Sequence, residues 1–178
     1  MLLFSLRRPI FPACVAIVLG FSHASFGATT TCWDLSGERY QISPALLYAI
    51  AKTESGLNPR AINKSNANGS IDYGLMQINS FWLPALAKHG ITKEHLFDPC
   101  TSIEVGAWIL AQNAKQLGYN WNMVGAYNAR SPDKRLVYAR KVYKSLTGLT
   151  AGESAPPPRV DTSNTAPILA KVASNEER

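Results

Sequence analysis

Residues 43–59, which read SPALLYAIAKTESGLNP, form the stretch that decides the fold. Ser43 followed by Pro44 is typical of a helix start, because serine caps helix N-termini and proline is accepted at the first helical position. Apolar side chains and one carboxylate then recur at the three- and four-residue spacing of a single helical face: Leu47, Ile50, Glu54, Leu57. The pattern predicts a strong amphipathic helix.

Glu54 stands on the apolar face of this helix, near its end. Burial disfavours the charged form of a carboxyl group and raises its pKa, which is what a general acid working near neutral pH requires. A glutamate at the edge of the stripe could instead reach solvent or pair with Lys52 or Arg60. Periodicity alone favours this second interpretation.

A polar turn region follows the helix, and within it the sequence I71-D72-Y73-G74 is compatible with a small hairpin. Asp72 is therefore a second candidate for chemistry. Cleavage of a glycosidic bond uses one carboxyl group as proton donor and another to stabilise or capture the positively charged centre. Aspartate is also a common turn former, and composition alone favours that role.

Three more helices are predicted further along the chain, from a cap near Ser102 to Gly118, from Asn120 to Tyr127, and from Asp133 to Gly148. Glu104 lies two positions inside the first of them, where the helix dipole explains a carboxylate. Other acidic residues have the positions of caps, turns or surface groups: Glu38, Glu94, Asp98, Asp133. The fold class is mainly α, with a loop or short β element on one side of a helical core.

Residues 1–27 have the pattern of a secretory signal peptide, with Arg7 and Arg8 before an apolar run and small residues after it. The apolar run is shorter than the roughly 20 residues that a membrane-spanning helix needs. We expect cleavage after about Ala24 or Gly27 and a periplasmic location, with an uncleaved anchor as the alternative.

Two cysteines, Cys32 and Cys100, are left after the leader, which itself contains Cys14. An even number in an exported chain predicts a disulfide. Two cysteines this far apart lack the paired spacing of a zinc site, so we predict no metal.

Residues 150–178 are rich in proline, serine, alanine and charge and predict a flexible tail, which leaves residues 32–149 as the globular domain. The net charge is +6, or +4 once the two arginines of the leader are removed. A modest positive charge suits an anionic polymer, but no basic run indicates nucleic acid. His89 and His95 lie near a turn, and no serine has a nucleophile-elbow context.

Four segments, in this order, resemble the signature motifs of the lysozyme-like lytic transglycosylases that carry an SLT domain. They are E54-S55-G56-L57-N58-P59, G74-L75-M76-Q77-I78-N79, A126-Y127-N128 and Y138-A139-R140-K141-V142. The chain is most similar to the small specialised members that accompany type III and type IV secretion, conjugation and pilus machines. The resemblance implies a lysozyme-like α+β fold and turns Glu54 into the expected catalytic acid.

In that family the glutamate acts first as acid on the glycosidic oxygen and then as base toward the 6-hydroxyl of muramic acid. The product is a 1,6-anhydro sugar, and no water is consumed. The resemblance implies no cofactor, and its implied partners are peptidoglycan glycan strands and components of an envelope-spanning machine. It also implies that Ser55 orients Glu54 and that five residues line the glycan cleft: Gln77, Asn79, Tyr127, Asn128, Tyr138. The two tyrosines could equally be core aromatics, and Asn79 could cap the next helix.

The sequence departs from the family pattern after the third motif, where Ala129 is followed by Arg130 instead of glycine. The run G69-S70-I71-D72-Y73-G74 also resembles the hairpin of animal-type lysozymes, in which the aspartate is the second catalytic carboxylate. A hydrolytic lysozyme using Glu54 and Asp72 therefore stays open beside the transglycosylase. A third alternative is a glycan-binding assembly factor without turnover.

Overall fold

A computed structural model describes residues 30–150, so the predicted leader (1–27) and most of the predicted tail (150–178) lie outside the described residues. Within 30–150 the chain forms six α-helices and three short strands. The helices are Cys32–Tyr40 (α1), Pro44–Ser55 (α2), Leu83–Ala87 (α3), Pro99–Leu117 (α4), Trp121–Ala126 (α5) and Pro132–Thr150 (α6). The strands are Ile62–Asn63 (β1), Asp72–Tyr73 (β2) and Ile78–Asn79 (β3). The predicted class, mainly helical with a small β element, is confirmed.

The helix predicted from residues 43–59 is α2. Pro44 occupies its first turn, and Gly56 ends it in the left-handed conformation. Leu47 and Ile50 are completely buried, so the apolar face predicted from the spacing is the face that packs into the core. Its main partner is α6, which lies across it and brings the fourth sequence motif to the end of α2.

α4 forms the centre of the domain, with α1 and α5 packed against it. It begins earlier than predicted, because Asp98 and not Ser102 is the N-cap: the Asp98 carboxylate accepts a hydrogen bond from the Thr101 backbone N–H at 2.8 Å. Pro99 then takes the first helical position, the arrangement that proline favours. Ser102 is buried, and its hydroxyl instead accepts from the backbone N–H of Met76 at 3.0 Å.

Glu104 has a different role from the one predicted. It lies beyond the first turn of α4, where the helix dipole has little effect. Its buried carboxylate accepts a hydrogen bond from Ser36 at 2.9 Å and pairs with the Arg39 guanidinium at 2.6 Å. Both partners belong to α1, which the sequence analysis did not predict. A buried carboxylate must be paired, because removing one partner leaves an uncompensated charge in the core.

The polar region between α2 and α3 forms a three-stranded antiparallel sheet in the order β1-β2-β3, larger than the hairpin considered from the sequence. Asp72 pairs with Asn63 on one side and with Asn79 on the other. The three residues therefore sit side by side across the sheet. Among residues 30–150, no helix combines the length and apolar character that crossing a membrane would require.

The predicted disulfide is confirmed. Cys32, at the start of α1, is bonded to Cys100, in the first turn of α4, with their Cα atoms 5.3 Å apart. Both residues are buried. Together with the pair between Arg39 and Glu104, the bond fixes α1 along α4.

Replacing Cys32 and Cys100 together by serine should lower the free energy of unfolding by about 4 kcal/mol, because the bond closes a long loop in the unfolded chain. The two cysteines are 68 residues apart in sequence. Guanidinium denaturation of the variant and the oxidised wild type measures the difference. Reduced wild type is the control and should unfold at the same guanidinium concentration as the double variant. A variant as stable as the oxidised protein would contradict the prediction.

Candidate active site

A cleft of about 500 Å³ lies between the small sheet and the connection from α5 to α6. Glu54 and Asp72 both face it, together with four of the residues named from the resemblance: Gln77, Asn79, Tyr127, Asn128. The structure thus brings residues from three of the four sequence motifs to one surface. The remaining lining includes Asn66, Phe81, Trp82 and Arg130, which the sequence analysis did not assign to the site.

Glu54 lies in the last turn of α2, where its carboxyl group is largely removed from solvent. Burial raises its pKa from 4.5 to about 7. A hydrogen bond from Tyr138 opposes this rise, the negative charge of Asp72 adds to it, and the positive charge of Lys141 opposes it. A substantial fraction of Glu54 is therefore protonated near neutral pH, which a proton donor requires.

Tyr138, on α6, donates its hydroxyl hydrogen to Oε1 of Glu54 at 2.5 Å. Its side chain is only 5% exposed and does not line the cleft, which corrects the prediction that it would. The reason is the packing of α6 on α2, which places Tyr138 behind the glutamate. Burial, followed by the charge of Glu54, raises the pKa of the tyrosine well above its ordinary value, so the hydroxyl stays a donor.

Ser55 does not line the cleft either. Its hydroxyl donates to the carbonyl oxygen of Leu75 at 2.7 Å and to that of Ala51 at 3.2 Å, and it accepts from the backbone N–H of Asn58 at 3.1 Å. It therefore joins the end of α2 to the second motif. Any orienting effect on Glu54 passes through the backbone, because the hydroxyl has no hydrogen bond to that carboxyl group within the described residues.

Asp72 is held by three asparagine side chains. Its Oδ2 accepts from the amides of Asn63 and Asn66, each at 2.9 Å, and its Oδ1 accepts from the amide of Asn79 at 2.6 Å. Asn79 also caps the 3-10 helix Ser80–Trp82 through the backbone N–H of Phe81 at 2.9 Å. Donors on both oxygens fix the orientation of the carboxylate and satisfy a negative charge.

The second motif forms a tight loop that is anchored at several points. Gly74 has φ +75°, and a side chain there would overlap the carbonyl oxygen of Leu96, so only glycine permits this approach. The carbonyl oxygen of Met76 accepts the Tyr127 hydroxyl at 2.9 Å. Gln77 also has a positive φ, 49°, and its amide donates to the carbonyl oxygen of Gly74 at 2.9 Å.

Tyr127 belongs to both the cleft and the core. Its ring lines the cleft, while burial, with the charges of Glu54 and Asp72 as further causes, raises its pKa well above the ordinary value. Its hydroxyl is therefore a fixed donor to the loop of the second motif. The neighbouring Asn128 is exposed and faces the cleft.

Asn63 and Asn66 belong to the polar region for which the sequence predicts only turns, yet they orient Asp72. A sequence signal existed, because four asparagines flank Asp72 within a short region: Asn63, Asn66, Asn68, Asn79. Their convergence depends on strand register, which short strands do not reveal. Across residues 30–150, the histidine, cysteine, aspartate and glutamate side chains form no group suited to holding a metal ion.

These features define a lysozyme-like domain in which a half-buried, protonatable carboxyl group on a helix and a second, fixed carboxylate on the small sheet face one cleft. Residues 31–141 match the Transglycosylase SLT domain, and the chain belongs to this family. The resemblance seen in the sequence motifs is thereby confirmed.

Several proteins are similar over most of the domain. The invasion protein IagB of Salmonella typhimurium is 46% identical over 134 residues, which cover 71% of this chain and 83% of that protein. Protein IpgF of Shigella flexneri is 46% identical over 125 residues, covering 67% and 82%. The X polypeptide of Escherichia coli is 38% identical over 157 residues, covering 83% and 88%.

A solved structure of an inactive mutant of the lytic transglycosylase Slt from Pseudomonas aeruginosa has the same fold, with a TM-score of 0.53 at 21% identity. The similarity covers 73% of this chain and 25% of that one. This chain therefore spans about a quarter of the length of that protein.

Tyr138→Phe should raise the pKa of Glu54 above about 7, because it removes a hydrogen bond that stabilises the carboxylate. Asp72→Asn should lower the same pKa, because it removes a nearby negative charge. Carbon NMR titration of the Glu54 side-chain carboxyl group measures both. Tyr143→Phe, an exposed position on the same helix, is the control and should leave the titration unchanged; shifts of the same sign in the two site variants would contradict the assignment.

Glu54→Gln should stabilise the protein at alkaline pH. The pKa of Glu54 is higher in the folded than in the unfolded state. Its contribution to the free energy of unfolding is therefore fully present below about pH 4.5 and is lost as the pH rises through about 7. The difference between the two values corresponds to roughly 3 kcal/mol. Urea denaturation should therefore give equal stabilities near pH 4 and a variant that is more stable by about that amount near pH 8. Equal stabilities at both pH values would contradict burial of an ionisable Glu54.

Proposed function

We propose that the protein is a peptidoglycan lytic transglycosylase that cleaves the β-1,4 bond between MurNAc and GlcNAc and forms 1,6-anhydroMurNAc. The observation that carries this proposal is the environment of Glu54: a carboxyl group in the cleft of an SLT domain whose pKa is raised to about 7. An acid that is partly protonated near neutral pH is suited both to donating a proton and to accepting one back.

In the proposed reaction, protonated Glu54 donates its proton to the glycosidic oxygen. The bond from that oxygen to C1 of MurNAc breaks, its electron pair stays on the oxygen, and positive charge develops at C1. The 6-hydroxyl of the same sugar then attacks C1 while its proton passes to the Glu54 carboxylate. The residue ends protonated, as it began, and no water is used. Tyr138 holds Oε1 during both transfers.

Asp72 supplies negative charge in this scheme. Its three amide donors occupy lone pairs on both oxygens, which lowers the reactivity of the carboxylate as a nucleophile and fixes its position. A fixed charge of this kind suits electrostatic stabilisation of the positive centre, because it needs no reorganisation during the reaction. This supports an auxiliary role for Asp72 beside a single obligatory Glu54.

The second candidate function is hydrolysis by a lysozyme that uses Glu54 and Asp72 as a pair. The observation in its favour is that both carboxyl groups face one cleft, from opposite elements of the fold. In that mechanism Asp72 captures or stabilises C1 until water completes the reaction.

The third candidate function is that of an assembly factor that binds glycan without cleaving it. A binding module gains nothing from burying Glu54, because ionising that group at neutral pH costs stability. The raised pKa therefore favours an enzyme.

Mass spectrometry of muropeptides released from purified sacculi tests the proposal. A transglycosylase releases 1,6-anhydromuropeptides, whereas reducing ends without anhydro products would refute it in favour of hydrolysis. Glu54→Gln should abolish release while murein binding remains. Asp72→Asn should retain a substantial part of the activity, whereas an obligatory pair would lose nearly all of it. Asp72→Ala is tested as well, because the asparagine variant places an amide donor against the three asparagine amides that bind Asp72, and that clash could by itself disturb the site.

We further propose that the protein is exported and acts in the periplasm, where it opens murein locally for a secretion, conjugation or pilus apparatus. The leader pattern of residues 1–27 supports export, and the similarity to a protein named invasion protein, IagB of Salmonella typhimurium, supports the wider role. In this proposal residues 32–149 are the catalytic domain and 150–178 a tail.

A further inference from the structure

Arg130 lies where the sequence departs from the family pattern, in the connection between α5 and α6. Its side chain is exposed and lines the cleft. The guanidinium group stands over the ring of Phe81, 5.8 Å from the ring centre, on the opposite wall of the cleft. Within residues 30–150 no carboxylate pairs with it. Arg130 therefore presents an uncompensated positive charge to whatever occupies the cleft.

The backbone beneath Arg130 is fixed. The N–H of Ala129 donates to the carbonyl oxygen of Gly125 at 3.1 Å. The carbonyl oxygen of Ala129 accepts from Nε of Arg135, also at 3.1 Å. A side chain at Gly125 would overlap Arg135, so α5 and α6 approach as closely as glycine allows. The connection that carries Arg130 is thus held from both helices.

The opposite wall is fixed as well. The backbone N–H of Phe81 donates to Asn79, the residue that also binds Asp72. The Phe81 ring meets Trp82 edge to face at 5.4 Å, and Trp82 meets Trp108 in the same way at 5.3 Å. Phe81 is nevertheless 65% exposed, a large apolar surface at the rim of a polar cleft.

Charge separates the cleft into two parts. Glu54 and Asp72 supply its acidic groups, and Arg130 is the basic residue among those that line it. An anionic group on a ligand is repelled by the Asp72 carboxylate, and by Glu54 only in its ionised fraction, and is attracted by Arg130. A guanidinium stacked on an aromatic ring keeps its N–H edge free, and that edge matches a carboxylate through two parallel hydrogen bonds.

We propose that Arg130 and Phe81 form a carboxylate-binding subsite that recognises the lactyl arm of MurNAc, and that this subsite makes the enzyme prefer glycan strands carrying that acid. The inference rests on the proposed function. The ligand is either the lactyl carboxylate itself, free where the peptide is absent, or a carboxylate of the stem peptide attached there. The sugar rings would meet the exposed Phe81 face, and the acid would meet the guanidinium edge.

Steady-state cleavage of three soluble substrates tests the subsite: peptide-bearing glycan strands, the same strands after amidase has removed the peptides, and peptide-bearing strands whose carboxylates have been converted to amides. Arg130→Gln should lower kcat/KM by about tenfold, mainly through KM, on the strands that carry the recognised acid, because a charge-assisted hydrogen-bonded pair is lost. It should have no effect on the amidated strands. Phe81→Leu should give a smaller loss with the same dependence on substrate.

The stripped strands distinguish the two sources of the acid. A loss on the stripped strands alone assigns the lactyl carboxylate, because an attached peptide converts that group to an amide. A loss on the peptide-bearing strands alone assigns a carboxylate of the stem peptide, and a loss on both means that the subsite takes either acid. Arg60→Gln is the matched control, because it removes the same charge from an exposed position outside the cleft and should not change any of the three rates.

Two results would overturn the inference while leaving the proposed function intact: unchanged kcat/KM for Arg130→Gln on both peptide-bearing and stripped strands, or an equal loss on amidated strands. Wild type that releases no anhydro product from any substrate refutes the proposed function instead. Arg130→Lys adds a readout that a structural role would not give, since it should restore part of the preference for charged strands without restoring bidentate geometry.

Discussion

The carboxyl group of Glu54, half-buried at the end of α2, accepts a hydrogen bond from Tyr138 of α6, and the rest of the site is arranged around that contact. Burying a carboxyl group removes it from water, so its protonated form becomes the favoured one over a wider range of pH. The tyrosine opposes this effect only in part. The balance leaves a pKa of about 7, the range in which one group can give and recover a proton.

The two carboxyl groups facing the cleft have different surroundings. Within residues 30–150, Glu54 accepts one hydrogen bond, from Tyr138, whereas Asp72 has three amide donors supplied across the sheet by Asn63, Asn66 and Asn79. The hydrogen bond to Glu54 depends on the packing of α6 on α2, whereas the hydrogen bonds to Asp72 depend on the register of the strands. The negative charge of Asp72 in turn raises the pKa of Glu54, so both the sheet and the helix packing set the pKa of that one group.

Much of the architecture follows from local sequence. The spacing in residues 43–59 gives α2, the Asn120 cap gives α5, and the composition gives the disulfide, because each depends on neighbours in the chain or on simple pairing. The sequence pattern did not predict α1, because this helix is short, contains Gly37 and is stabilised by pairing of Arg39 with Glu104 in α4. That pairing also explains why the helix dipole was the wrong account of Glu104.

The sequence by itself determined that Glu54 lies on an apolar helical face, that the chain carries four motifs in the order of the SLT family, and that two cysteines pair. Only the tertiary structure decided that Tyr138 supports Glu54 from behind instead of lining the cleft, that Ser55 ties α2 to the second motif, and that Arg130 meets Phe81 across the cleft. The reason is the range of the interactions. Helix periodicity is set by residues three and four apart, whereas each of these contacts joins residues from separate parts of the fold, whose distance depends on packing and strand register.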